Sequence, residues 1–393
     1  MERVAILAAA RTPIGKFLGS FADVTAVELG TVATVAAIKG QVLAFDSVDE
    51  LIYGCARQAG GGPNMARQVL IRSSIPRERP AITVNQACGS GIQSIIMGRD
   101  RIRMGYAKVV VVGGAENMTR TPFYLDRARL GYRLGHAAVI DGMYRDGFVD
   151  PNCDMLMGET AEKLADLYKI SREEQDEFAL ESQRRAGAAI REGRFEAEMA
   201  PVPVPGKKGE TRTVTADEHP RPETTMEEIR KLPAVFRQGG TVHAGNSSGI
   251  TDGAASLVLA SESVVKEHRL EAMAWVGESE VVGVDPSIMG IGPVPATKKL
   301  LARTNRSLGD YDLIELNEAF AAQVLACDRE LHLDRTKLNV NGGAIALGHP
   351  IGCTGARIVT TLVHEMRRRE SALGLATLCV SGGLGIALEL YRD

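Results

Sequence analysis

Three short apolar runs occur twice in this chain, in the same order, once in its first third and once in its last. "DELIYGCARQ" near Leu51 matches "YDLIELNEAFAAQ" near Leu313, "AITVNQACGSG" matches "LNVNGGAIALGHPIGCTGA", and "AKVVVVGGAENM" matches "GLATLCVSGGLGIAL". In each pair a β-branched run ends in small or polar residues, and after the first two a segment of helical period follows. A βαβ rhythm used twice predicts an α/β protein of two similar halves. It also predicts a largely parallel sheet covered on both faces, with ligands outside the carboxyl ends of its strands.

Between the repeats, from about Thr119 to Gly249, the rhythm breaks. The intervening chain carries "LGYRLGHAAVIDGMYRDGFVDPNCDMLMG", the charged helical run "TAEKLADLYKISREEQDEFALESQRRAGAAIREGRF" and the proline-rich "APVPVPGKKGE". An insertion of this length with helices of its own reads as a lid or substrate-binding domain rather than a linker. After "HAGNSSGITDG" the apolar rhythm resumes in "AASLVLASESV", which reads as the last strand and helix of the first half. The expected division is therefore residues 1–118 with 249–270, an inserted loop domain at 119–248, and a second half at 271–393.

A charge of -3 with no sustained basic block leaves no electrostatic footprint for nucleic acid or an anionic membrane, so a small molecule is the expected partner. No apolar run approaches bilayer-spanning length, and "MERVAILAAARTPIGK" lacks the apolar core and cleavage site of a secretory signal. The expected compartment is the cytoplasm. The six cysteines lie far apart without a CxxC pair, which argues against a zinc cluster or a disulfide framework. Cys55, Cys153 and Cys327 read as small buried hydrophobes.

Three loops carry chemistry. In "NQACGSG", Cys88 falls at a strand-to-helix turn, where unpaired N–H groups and the helix dipole lower a thiol's pKa. Gly89 and Gly91 would let a ligand approach the backbone. In "NGGAIALGHPIGCTGAR", His349 is wedged between Gly348 and Pro350, presented rather than packed. A lone histidine is more often structural, but the repeat places this turn opposite that of Cys88, so the two would meet as nucleophile and base. In "LCVSGGLG", Cys379 ends a strand ahead of flexible glycines. Two thiols and one imidazole in one pocket point to carbon or acyl transfer through a thioester. A Cys88–Cys379 disulfide is the weaker alternative in a reducing compartment.

At these residues the chain resembles the thiolases, the acetyl-CoA C-acyltransferases. "NQACGSG", "NEAFAAQ", "GGAIALGHPIGCTGAR" and "CVSGGLG" stand in the family's order and spacing, and "RTPIGKFLG", "GGAENM" and "AGNSSG" extend the likeness over the whole chain. The resemblance implies the thiolase fold, two βαβ-type halves packed as α-β-α-β-α layers. It implies that Cys88 is acylated, that His349 activates it, and that Cys379 exchanges a proton with the acetyl-CoA methyl carbon. Asn317 would hold a water that forms one oxyanion hole with His349; the backbone N–H groups of Cys88 and Ser381 would form the other. Coenzyme A or acyl-CoA would be a substrate, with no permanently bound cofactor and no metal. Arg221 would reach its adenine end, Ser248 the pantetheine, and Leu156, Met157, Phe236, Ala244, Ala319 and Phe320 would line the tunnel. By the same resemblance the protein would be a homodimer or homotetramer.

Several positions depart from the short-chain biosynthetic members. Leu156 stands where many carry histidine, Cys353-Thr354 resembles degradative members, Ser381 replaces a frequent glycine, and Glu228 lies near a frequent serine. These lean toward a broader range of acyl lengths. Two other readings compete: a condensing enzyme acting on carrier-protein thioesters, and a non-catalytic acyl-CoA- or lipid-binding protein on the same scaffold. The paired Cys379 and the insertion argue against the first, and the intact Cys88, His349 and Cys379 against the second.

Overall fold

In the computed structural model, which describes residues 2–40, 43–206 and 209–393, one ten-stranded sheet runs through the protein. Its strands are β1 (Val4–Arg11), β2 (Glu50–Gly54), β3 (Ala81–Val84), β4 (Val109–Asn117), β7 (Thr251–Ser261), β8 (Ala274–Gly283), β9 (Leu313–Leu316), β10 (Leu373–Val380) and β11 (Leu384–Tyr391), with Gly15–Lys16 paired to β7. The labels β5 and β6 belong to a small hairpin, Val149–Asp150 and Met155–Leu156, in the insertion. The sheet order is β9-β10-β11-β8-β1-β7-β4-β2-β3. Reading inward from either side, β2 answers to β9, β4 to β10, β7 to β11 and β1 to β8. The first and third repeated runs predict β2–β9 and β4–β10. The second forms β3 in the first half, whereas "LNVN" in the second makes only an isolated Leu338–Ile314 bridge, so among the described residues β3 has no counterpart strand. The halves join where Ala5 and Ile6 pair with Trp275 and Ala274.

The expectation of a largely parallel sheet is corrected. Only β2–β3, β2–β4 and β9–β10 are parallel; the rest, including both junction strands, are antiparallel. Helical crossovers need parallel neighbours only where they occur, and β7 and β11 each return beside β4 and β10 in the antiparallel sense. The strands still read as continuous apolar runs because both faces are covered. Along β4, Val109 and Val111 enter one apolar cluster while Val110 and Val112 enter another.

Those clusters define the layers. Helices α1 (Ala26–Lys39) and α2 (Met65–Arg72) cover the outer face of the first half. Between the halves lie α3 (Ser90–Arg103) and α8 (Ile351–Arg369), which share a cluster with inner residues of β1, β4, β7, β10 and β11. The outer face of the second half is covered by α6 (Pro293–Thr304), α7 (Ala321–Leu331) and, from the insertion, α4 (Met157–Tyr168) and α5 (Arg172–Arg191). The central helices cross with their backbones touching. A Cβ on Gly91 would lie 2.3 Å from Ala356 N, and one on Gly355 would lie 2.4 Å from Ile92 N. Gly91 thus serves helix packing, not the ligand approach expected of it.

The charged helical run of the insertion is two helices, broken where Lys169 turns left-handed (φ 51) and Ser171 starts a new capping box with Glu174. Downstream, Val202–Pro205 and Thr211–Val214 form a ribbon whose Val202 and Val204 pack into the first half's outer cluster. Lys207 and Lys208 of the proline-rich stretch lie outside the described residues. No helix of the described residues is long and apolar enough to cross a membrane.

Candidate active site

The turn after β3 is built from its own polar atoms. The Ser90 hydroxyl accepts from Gln86 N–H (2.9 Å) and donates to the Ala87 carbonyl (2.7 Å), closing the chain into a loop before α3. Ala87 is held at φ 45, a left-handed conformation that alanine adopts only when its surroundings impose it. Cys88 follows, half-buried against an apolar wall that includes Ala56, Met118, Met143, Phe148 and Ile351.

From the second half, Gly348 (φ 99) carries the chain past Thr251, whose Cγ2 would lie 2.4 Å from any Cβ there, and delivers His349 to the start of α8. His349 Nε2 lies 3.3 Å from Cys88 Sγ. Its Nδ1 lies 2.6 Å from Thr354 Oγ1, and the Thr354 hydroxyl donates to the Pro350 carbonyl (3.0 Å). With that hydroxyl already committed as a donor, Nδ1 carries the proton and Nε2 offers its lone pair to the thiol. Burial pushes His349 down to about 3, helped by the charges of Arg357 and Arg57, so it stands neutral and ready as a base. Burial raises the Cys88 thiol, against the opposing pull of the Ser381 N–H and of Arg57. The lowered pKa expected from the helix dipole is therefore overturned: desolvation outweighs it, and the resting pair is thiol and neutral imidazole.

Cys379 is fully buried at the end of β10, and its thiol is pushed well up, first by burial and then by the nearby Cys88. All six cysteines are free thiols, so the disulfide alternative for Cys88 and Cys379 is not realised. Cys55 and Cys327 are buried as expected, whereas Cys153 is only partly so. Beyond Cys379, Gly382 (φ 88) and Gly383 (φ 83) turn the chain from β10 into β11, with Val380 paired to Leu384 across the turn.

Asn317 follows β9, tied by its N–H to the Thr377 carbonyl (3.0 Å). Its side chain is 1% exposed, yet neither Oδ1 nor Nδ2 has a protein partner. A buried carboxamide left wholly unpaired costs a few kcal/mol, which marks a place where water or substrate supplies the partner. The next residues join "NEAF" to "AGNSSG": Ser248 N–H donates to Ala319 O (2.9 Å), Ala321 N–H donates to Asn246 O (2.9 Å), and Ser247 bridges Phe320. Met157 and Phe236 pack into the cluster of Ala319 and Phe320, and the Phe236 and Phe320 rings meet edge to face at 6.1 Å. Leu156, half-buried at the end of β6, donates its N–H to Glu159 (2.6 Å). Arg221 and Ala244 are exposed and outside this packing; Arg221 meets Gln183 Oε1 only through its N–H (2.7 Å). The Glu228 carboxylate caps its own helix by accepting from Thr225 N–H (2.9 Å).

Three polar residues at the site, Glu116, Arg57 and Asp150, escaped the sequence reading of function, and a fourth, Thr354, entered it only as a mark of acyl length. Thr354 sets the imidazole tautomer. Glu116, fully buried, accepts from Ala56 N–H (2.9 Å), Arg57 N–H (2.9 Å) and Gly352 N–H (2.8 Å), tying the first half to the start of α8. Arg57 extends from this knot over the Phe148 ring with Nε and Nη2 unpartnered. Asp150 holds the Gly382 N–H at 2.8 Å. Only Glu116 left a sequence signal, a carboxylate inside the apolar run "VVVVGGAEN".

The chain matches the family profiles described as "Thiolase, N-terminal domain" over residues 4–263 and "Thiolase, C-terminal domain" over 270–392. It is 49% identical to an acetyl-CoA acetyltransferase of Pseudomonas aeruginosa and 48% to one of Escherichia coli, each over 100% of both chains. Among solved structures, the acetyl-CoA acetyltransferase of Bacillus anthracis superposes with a TM-score of 0.97 at 44% identity, covering 100% of this chain and 99% of that one. Human mitochondrial 3-ketoacyl-CoA thiolase in complex with CoA superposes at 0.96 and 45% identity, covering 100% and 98%. Two matched profiles spanning nearly all of the sequence, with full-length relatives at close to half identity, establish that the chain belongs to the thiolase family.

Proposed function

We propose that this protein cleaves 3-ketoacyl-CoA with CoA to give acetyl-CoA and a shortened acyl-CoA, and runs in reverse to condense two acetyl-CoA into acetoacetyl-CoA. The reaction is ping-pong through an acyl-Cys88 thioester. The observation that carries this reading is the 3.3 Å approach of the His349 lone pair to the Cys88 thiol, with Nδ1 held by Thr354. His349 takes the thiol proton as Cys88 attacks the 3-keto carbon. Cys379 protonates the leaving acetyl-CoA carbanion, or removes a methyl proton in the condensing direction. The Cys88 and Ser381 N–H groups stabilise the oxyanion on the acyl carbon, while a water on Asn317 and the imidazole stabilise the thioester enolate; one such donor is commonly worth about 3 kcal/mol.

In this reading the insertion, residues 119–248, is the coenzyme-binding domain between a first half of 1–118 with 249–270 and a second of 271–393. Arg221, whose guanidinium has no hydrogen bond or ion pair among the described residues, takes the adenine end. Ser248 takes the pantetheine, and Leu156, Met157, Phe236, Ala244, Ala319 and Phe320 line the path. We further assign the protein to the cytoplasm as a homodimer or homotetramer. The carrier-protein and binding-protein readings gain no support from the relatives, all of which are named as acyl-CoA enzymes.

Relatives named acetyl-CoA acetyltransferase and one named 3-ketoacyl-CoA thiolase match to nearly the same extent, so chain length is the open variable. The test is CoA-dependent cleavage of a ladder of 3-ketoacyl-CoA substrates from acetoacetyl-CoA upward, with Cys88→Ala as control. Activity that rises with length supports the lean set by Leu156 and Cys353-Thr354, and activity confined to acetoacetyl-CoA overturns that lean. Inactivity across the ladder overturns the thiolase reaction itself.

A further inference from the structure

In the reaction proposed above, the turn Ser381–Gly383 supplies the Ser381 N–H to the oxyanion on the acyl carbon, yet one residue of the turn is held by little of its own sequence. Gly382 and Gly383 both lie at positive φ, and a Cβ on Gly382 would meet nothing within 4 Å. Gly383 is packed, with a Cβ there only 2.3 Å from Val284 O, and Val380 pairs with Leu384 across the turn. Gly382 is the member with conformational freedom, so the donor beside it is aimed more sharply when a contact from outside holds the Gly382 peptide. Among the described residues, the turn receives one side-chain hydrogen bond, from Gly382 N–H to Asp150 Oδ2 at 2.8 Å. A backbone bond from Val284 N–H to Gly383 O (2.7 Å) closes its far end.

Asp150 is built for this contact. It is 2% exposed, and β5 pairs it with Met155 on β6, just before Leu156 and Met157. Its Oδ1 is occupied by Asn152 N–H and Nδ2, both at 2.9 Å, which locks the carboxylate and points Oδ2 across to the second half. A charged acceptor makes a shorter and stronger bond than a neutral one, suited to pinning one peptide plane against a flexible turn.

We propose that Asp150, from the insertion, is a positioning residue for acyl transfer: it fixes the Ser381–Gly383 turn so that the Ser381 N–H is aimed at the thioester oxygen formed on Cys88. The proposal rests on the reaction proposed above. It makes the hairpin that leads into the substrate-facing residues Leu156 and Met157 also the brace of an oxyanion donor.

Two reactions of Cys88 separate this role from a general structural one. Acylation by a 3-ketoacyl-CoA passes through an oxyanion; alkylation by iodoacetamide does not. In Asp150→Ala, single-turnover acylation followed by intact mass should fall about 10- to 100-fold, since a misaimed donor costs much of what a deleted one does. Iodoacetamide alkylation of the same sample should fall several-fold less than acylation does, because the Ser381 N–H favours the Cys88 thiolate in both reactions but the oxyanion forms only in acylation. Should the alanine variant fail to fold, Asp150→Asn keeps the size and one acceptor oxygen; the same selective loss, reduced in size, is expected there. Acylation at the wild-type rate in both variants, or equal loss in acylation and alkylation, overturns the positioning role alone. A wild-type protein that is not acylated at all overturns this role together with the reaction on which it rests.

Discussion

The two turns that meet at the site occupy equivalent places in the two halves and do opposite work. Each lies beside the strand β2 or its counterpart β9 and opens a helix of the central layer, α3 for Cys88 and α8 for His349. Each needs a left-handed residue just before its functional side chain, Ala87 at φ 45 and Gly348 at φ 99. The first presents a half-buried thiol held by a serine that closes its own turn; the second presents a neutral imidazole whose far nitrogen is tied to Thr354. The strand ends diverge as well. In the first half Glu116, one residue before the end of β4, is spent on binding the start of α8, and in the second Cys379, one residue before the end of β10, is a free thiol. In the proposed reaction a duplicated scaffold becomes an asymmetric site by changing the residues at matched positions, the first half giving the nucleophile and the second the groups that move protons.

The sharpest break of this asymmetry is Cys88→Ala, which should lower thiolysis by at least about 10⁴-fold with little change in Tm, because one small turn residue replaces another. Normal turnover in that variant would remove Cys88 as nucleophile. Next, Cys379→Ala should slow condensation by roughly 10²- to 10⁴-fold while acylation of Cys88 by acetyl-CoA, read by intact mass, stays within a few-fold, since only condensation needs the second proton transfer. Equal loss in both half-reactions would make the two thiols partners rather than specialists.

The protonation states offer a subtler test. With the thiol raised and the imidazole held near 3, the thiolate fraction grows as pH rises, so iodoacetamide alkylation of Cys88 should climb about tenfold per pH unit up to at least pH 9. A plateau below pH 7 would show a preformed thiolate–imidazolium pair instead. Thr354→Val, which removes the Nδ1 acceptor while keeping the shape, should cost about tenfold or more in kcat with KM little changed, and Thr354→Ser should restore it. Last, Gly91→Ala should lower stability by about 1–3 kcal/mol by forcing α3 off α8, measured as a fall in Tm; a stability equal to wild type would mean that the helices separate freely.

How far the sequence could be read follows from what kind of interaction each feature depends on. The β-branched runs and their repetition are local, and the sheet sets the first and third of them at matching places, while the second is a strand in the first half alone. Strand direction is not local: β7 and β11 turn antiparallel because of how the chain returns to the sheet, which no period in "AASLVLASESV" records. Cys88, His349 and Cys379 stood out because small residues and glycines surround them. Asp150 did not, and Thr354 did so only for acyl length, since a threonine in a helix and an aspartate in a loop are ordinary until their partners are known. Gly91 was noticed for the wrong reason, because a missing Cβ shows that something comes close without showing whether it is a ligand or another helix.

By itself, then, the sequence determined the family, the repeated strand runs and which side chains were candidates for chemistry, since period and residue type are properties of the chain. Only the tertiary structure decided that Cys88 and His349 lie 3.3 Å apart, that desolvation outweighs the helix dipole at the thiol, and that an aspartate 231 residues before Ser381 holds the turn beside it. Distances, burial and tautomers are set by contacts between residues far apart in the chain, and they come into being only when the two halves close on each other.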